Sequence, residues 1–176
     1  SPSSAASDVY KRQIGILYDC LYLYYQIVFQ QILFLNMYKE YLPCHILAPY
    51  VDRYWEFKGQ TEQGMQIKLS TDGCTDFMFI LESTVNHGII MQPYHSYFIG
   101  PMNVCSTLIT SSGTINTFGV RFRPCGLSRF MKISLSELTN IRLSVNDLNT
   151  IFSDSFAERL FEEQGIQCKI NLIERY

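Results

Sequence analysis

The rhythm of short apolar runs between Tyr50 and Phe122 constrains this chain more than any other feature. Residues 50–57, 65–69, 75–81, 88–91, 94–99, 106–110 and 115–122 are each brief, rich in β-branched and aromatic residues, and divided by turn residues. They predict seven strands within about eighty residues. The turn Thr71-Asp72-Gly73 needs the positive φ that glycine accepts most easily. It feeds residues 75–81 (TDFMFIL), which are apolar on both faces and therefore belong at the centre of a sheet. Aromatics make up 14% of the chain, which suits strands facing a shared interior better than a minimal helical bundle.

After Arg123-Pro124 the period changes from two to about 3.6. Pro124 is placed to open a short helix through Leu127 and Phe130 to Met131, and 136–138, 145–152, 156–164 and 166–176 read as further helices. Glu158, Arg159, Glu162 and Glu163 lie on their outer side. The expected fold is mainly β with C-terminal helices (α+β): a β-barrel or β-sandwich at 37–123 followed by a small helical segment at 124–176. A chain of 176 residues, 47% of them hydrophobic, has room for one core and not for two ordinary domains. Its net charge of −2, from 14 Lys+Arg against 16 Asp+Glu, lacks the basic excess that phosphate backbones demand.

The start of the chain does not match the rest. Residues 1–13 are small and polar, and 14–35 are almost continuously apolar. That run is long enough to cross a bilayer, yet Asp19, Gln26, Gln30 and Gln31 are costly in hydrocarbon, and the aromatic crowding makes a poor helical stripe. The opening peptide resembles a translated sequencing-adapter tail. Residues 1–36 are therefore read as a non-native or hydrophobic leader ahead of a domain beginning at Met37, in preference to a membrane anchor.

The chemistry-bearing residues form no catalytic signature. His87 and His95 lie eight residues apart across a Gln92-Pro93 turn, with no His-x-His pair, and His45 precedes the first expected strand. Metal binding of the cupin kind is not expected from that spacing. Cysteines at 20, 44, 74, 105, 125 and 168 show no CxxC and read as buried free thiols. No G-x-S-x-G elbow, Walker pattern or G-x-G-x-x-G run occurs, and Asp72 and Asp76 read as a turn residue and a strand residue. The stretch 134–152 superficially resembles a helix-turn-helix with Leu135, Leu138, Leu143 and Leu148 as packing positions. Its would-be reading helix carries Asn146, Asp147 and Asn149 with no Lys or Arg, which is wrong for DNA. Alternation puts Arg121 and Arg123 on one face. Inside, they would need carboxylates or an anionic ligand; outside, they would form a solvated edge or an interface.

The order of YVDRYWEF, TDGCTDFMFIL, Ile99-Gly100-Pro101 and GVRFRPCGLSRFM resembles the amino-terminal domain of a group of AraC-type bacterial transcription regulators. Pro49-Tyr50-Val51 and Trp55 match the first strand of that group. Thr71 replaces the proline of its Pro-Asp-Gly turn, and Cys125 replaces the first of its paired glycines in the run Gly119 to Gly126. The resemblance implies a cupin-like β sensor domain at 37–123, leading through the helices of 124–176 to the rest of the protein, that senses a small-molecule effector, binds a partner protein or pairs as a homodimer. It implies a cytoplasmic protein with no membrane contact and no cofactor, acting on promoter DNA only through a helix-turn-helix domain beyond this chain. The expected ligand-binding residues are Trp55, Phe79, Arg121 and Arg123, since aromatic walls with a few cations make orienting sites. No catalytic, metal or DNA-binding residue is expected. The competing reading is a small cupin-type metal-dependent enzyme or isomerase using His87 or His95.

Overall fold

A computed structural model describes residues 36–176 apart from 63, 70, 83, 112, 133, 149 and 150. The chain divides into two compact units, Ser1–Met37 and Tyr38–Tyr176. The readings made for the leader lie outside the described residues.

In the second unit, ten strands build two antiparallel sheets: β1 (Tyr38–Tyr41), β2 (Val51–Thr61), β3 (Gln66–Leu69), β4 (Thr75–Glu82), β5 (Val85–Asn86), β6 (Ile90–Met91), β7 (His95–Ile99), β8 (Ser106–Thr110), β9 (Gly113–Phe122) and β10 (Arg142–Ser144). The larger sheet runs β1-β2-β9-β4-β7-β10 and the smaller β3-β8-β5-β6. Both are open in this order, so the fold is a sandwich-like α+β layout, and no closed barrel forms among the described residues. β4 is central, as its composition requires: every residue from Thr75 to Leu81 is buried, with β9 on one side and β7 on the other.

One face of the larger sheet is covered by the carboxy-terminal helices. Phe77, Phe79 and Leu81 of β4 join Phe98 of β7, Phe118, Val120 and Phe122 of β9, and Val51 and Tyr54 of β2 in one apolar cluster. Against them pack α1 (Asp154–Glu162) and α2 (Ile166–Arg175), through Phe156, Ala157 and Leu160 of the first and Ile170, Leu172 and Ile173 of the second. Aromatic rings knit this layer together. Phe152 meets Phe77 edge-on at 4.9 Å and stacks on Phe156 at 4.9 Å. Burying each such ring contributes about 2–3 kcal/mol, and the edge-on geometry adds to it.

The helix ends are satisfied locally. The Ser153 side chain accepts from the Phe156 amide at 3.3 Å, capping α1. At the other end, the buried Lys169 of α2 donates its Nζ to the carbonyls of Leu160, at 2.8 Å, and Glu163. A lysine this deep is tolerated because those carbonyls, at the negative end of α1, would otherwise lack partners.

Several expectations are corrected. β1, a four-residue edge strand of mixed polarity, precedes His45 and was invisible as an apolar run. β2 continues past Gly59 to Thr61 because β9 pairs with it along that whole length. The strand expected at 88–91 shrinks to β6, which pairs with β5 in a short hairpin turning at Gly88. The boundary expected at 123/124 has a strand beyond it. Residues 136–138 form successive turns rather than a helix, and among the described residues of 145–152 the only helical stretch is the single 3-10 turn Val145–Asp147. Here the edge of β7 overrode helical periodicity: Arg142–Ser144 pairs with Tyr97–Ile99 and caps an otherwise open edge. That pairing also removes the helix-turn-helix reading of 134–152. Of the described cysteines, Cys105, Cys125 and Cys168 are exposed and Cys44 and Cys74 half-buried, so the thiols are free but not buried.

The run after β9 turns on two adjacent residues. Cys125 adopts φ 62°, the left-handed conformation that glycine takes without a Cβ clash. A Cβ on Gly126 would lie 2.2 Å from the Tyr50 carbonyl oxygen. Cys125→Gly is therefore expected to raise stability by about 0.5–1 kcal/mol, and Gly126→Ala to lower it by about 2 kcal/mol or more. Urea denaturation midpoints of the two variants check both signs.

Candidate functional site

On the face of the larger sheet away from the helices, three side chains from three adjacent strands converge. Trp55 of β2 lies across Gly119 of β9, where a Cβ would come within 2.1 Å of the indole. The missing side chain lets Trp55 reach β4, and its Nε1 donates to Asp76 Oδ1 at 2.8 Å. Arg121, two residues along β9, donates its Nε to the same carboxylate at 3.1 and 3.3 Å. Its Nη1 also stands 3.5 Å from Asp72, in the turn before β4. Gly73 in that turn has φ 67°, as the sequence required, and Asp72 Oδ1 accepts from the Cys74 amide at 2.9 Å.

Asp76 is only 7% exposed. Burial pushes its carboxyl above the usual carboxylate range, while Arg121 and the Trp55 hydrogen bond pull it back. Burial also works against the Arg121 charge, but Asp76, then Tyr38 and Asp72, outweigh it, and the guanidinium is held more firmly protonated than usual. Burial, followed by the charge of Asp72, pushes the neighbouring Cys74 thiol up to about 11. It is therefore a thiol at neutral pH and a poor nucleophile.

The four residues expected to bind ligand thus separate. Trp55 and Arg121 meet at Asp76. Phe79 is fully buried on the opposite face, stacked on Phe118 and edge-on to Phe152. Arg123 lies past the end of β9 with its side chain 49% exposed, donating to the Ala48 carbonyl at 2.9 Å and facing Asp52 at 3.4 Å. The two open readings of the arginines divide between them: Arg121 is inside with carboxylates, and Arg123 is at the edge.

His87 is 2% exposed in the β5–β6 turn. Its Nε2 accepts from Nη2 of Arg142 on β10 at 3.3 Å, so Nδ1 carries the proton. That Nδ1 and the Arg142 Nε have no partner among the described residues. Burial, with Arg142 adding to it, lowers the His87 pKa to about 4. A guanidinium beside the ring is the reverse of what a metal ligand needs. His95 is exposed, with its Nδ1 2.8 Å from the Pro93 carbonyl. Among the described residues no three His, Cys, Asp or Glu side chains cluster closely enough to hold a metal ion. No described helix is long and apolar enough to cross a membrane.

The other candidate is a cavity of about 240 Å³ between the helix-covered face of the larger sheet and the end of the chain. Val51, Val120 and Phe122 form its sheet wall, and Ile151, Phe152, Ile173 and Tyr176 its opposite wall. Leu47, Phe130 and Glu174 complete it. Sequence reading missed it because its walls come from four separate stretches and are individually ordinary core residues. Phe122, between the two singled-out arginines, is the one signal that pointed nearby. Glu174 is fixed by the Cys44 amide, which donates to its Oε1 at 2.8 Å, and by the Tyr54 hydroxyl at 3.4 Å.

This geometry defines a mainly β, sandwich-like domain with a half-open apolar cavity between the larger sheet, Ile151-Phe152 and the end of α2. Residues 39–144 match the family described as Domain of unknown function (DUF6597), and the chain belongs to that family. The matched span runs from β1 through the last residue of β10, so it comprises both sheets and leaves α1 and α2 outside it. No curated protein and no solved structure matches the chain.

Asp76→Ala strands Arg121 and the Trp55 N–H without their acceptor and is expected to cost about 3–5 kcal/mol, measured by urea unfolding. For His87, the unfolded ring titrates near 6.5 and the folded one near 4. The unfolded state therefore binds more protons between those values. The contribution of His87 is full above about pH 6.5 and is lost as pH falls towards 4, by about 2–3 kcal/mol. Unfolding midpoints at pH 7 and 4.5 should drop more steeply for the wild type than for His87→Gln.

Proposed function

We propose that this domain is the amino-terminal regulatory part of an AraC-type transcription regulator, binding a small effector and acting on promoter DNA through a helix-turn-helix domain outside this chain. The observation that carries this reading is the cavity, because it is walled on one side by the rigid sheet and on the other by the last helix. A molecule held there touches Ile173 and Tyr176 directly, at the point where a following domain would be joined. Control of this kind needs unequal effector affinity for two arrangements of that helix, since equal binding shifts nothing. In this reading the domain binds and does not catalyse, needs no cofactor, works in the cytoplasm, and pairs with a second copy or a partner protein.

The order of Trp55, Asp72-Gly73, Gly100-Pro101 and Gly119 to Gly126 supports the same reading. Each serves a definite structural need: Trp55 over Gly119, Gly73 in its turn, and Gly100 under the Leu138 carbonyl, where a Cβ would lie 1.8 Å from the oxygen. The test is to read the genomic frame beyond Tyr176 and assay the full-length product by mobility shift on promoter fragments. About a hundred further residues with two helix-turn-helix units, and a retarded DNA band, are expected. A frame encoding no such units, or a full-length product that retains no DNA, would overturn the proposal.

A further inference from the structure

The cavity walls combine two kinds of group that together recognise one kind of ligand. Four aromatic rings line it: Phe122, Phe130, Phe152 and Tyr176. They stand as two pairs, Phe122 edge-on to Phe130 at 5.8 Å and Phe152 stacked with Tyr176 at 6.4 Å. Ring faces carry negative potential and attract cations. Among the described residues of the lining, Glu174 is the only charged one, and no described Lys or Arg joins it. Its Oε1 is held by Cys44 and Tyr54, while Oε2 accepts from no donor among the described residues.

We infer that the cavity binds a compact organic ammonium ion, with its apolar body against Val51, Val120 and Ile173 and its charged head between the aromatic rings and the Glu174 carboxylate. This inference rests on the reading of the cavity as an effector site and adds the chemistry of the effector. Three ligand classes compete for such a space. An anion would meet Glu174 with like charge. A neutral apolar molecule satisfies the walls but strips water from the carboxylate without replacing its hydrogen bonds. An ammonium satisfies both walls and carboxylate, and gains from the rings as well. Size sets the second limit. The cavity of about 240 Å³ exceeds the roughly 150 Å³ that accommodates benzene and falls below the roughly 300–1,000 Å³ of sites for drug-sized molecules. A single-ring amine fits it.

The experiment is calorimetric titration of the full 176-residue chain with three single-ring probes of similar size: phenethylammonium, 2-phenylethanol and 3-phenylpropionate. The ammonium is expected to bind at least about 10-fold more tightly than the alcohol, with the carboxylate weakest. Glu174→Gln keeps an acceptor oxygen for the Cys44 amide and the Tyr54 hydroxyl, and is expected to bring ammonium and alcohol within about 3-fold of each other. Thermal melting establishes that the variant is folded; should it not fold, the ranking on the unmodified chain decides alone. Equal binding of ammonium and alcohol to the unmodified chain overturns the ammonium inference and leaves the effector-site reading standing. Failure of all three probes to bind overturns the inference and removes the cavity from the regulatory reading, whereas the DNA-binding assay of the full-length protein bears on that reading alone.

Discussion

Asp76 is a carboxylate set into the most apolar strand of the protein, and its need for partners organises the strands around it. A charge in that position is prohibitive unless paired and hydrogen-bonded. The pairing requires an arginine on β9, two residues beyond a glycine, and an indole on β2 long enough to pass over that glycine. It thereby fixes the relative register of β2, β9 and β4, because a slip of one residue would send Arg121 to the helix-covered face. Replacing the whole cluster by apolar groups of similar volume would cost little stability, but it would remove the charge pairing that marks this register.

On the opposite face there is no comparable specificity of charge. Cohesion there comes from rings, with Phe77 and Phe79 each touching several others across strands and helices. Such a layer is held by area and shape, and rings leave gaps where chain direction changes. The cavity lies at one of these, between the start of β2, the end of β9 and the end of α2. The match to the family ends at β10, before α1, so half of the cavity wall comes from residues outside the matched span. The sheets provide a platform, and Ile151, Phe152 and the end of α2 with Tyr176 determine the shape of the space above it.

Much of this was legible in the sequence wherever one residue type has few alternatives. Gly73 had to turn, 75–81 had to be central, and the alternation of Arg121 with Phe122 put charge and ring on opposite faces. The last two helices were read within about two residues of their observed limits, because their apolar positions recur at helical spacing. Reading failed where an element exists only through its neighbour. β1 and β10 are short strands of mixed polarity that gain their hydrogen bonds from β2 and β7, and nothing in YKEY or RLS announces this. The residues expected to bind ligand were chosen for chemical type, and the structure divides them between the charge cluster, the aromatic layer and the sheet edge.

Lys169 has a consequence for motion. Its ammonium, buried under α2, grips the last carbonyls of α1, and separating the two helices would leave that charge without acceptors in an apolar setting. The connection between them spans only Glu163 to Gly165. Bending at this joint would therefore carry a large penalty, which ties α2 to the end of α1. In the proposed regulatory reading, displacement of α2 at Ile173 would be passed to α1 through this lysine as well as along α2 itself.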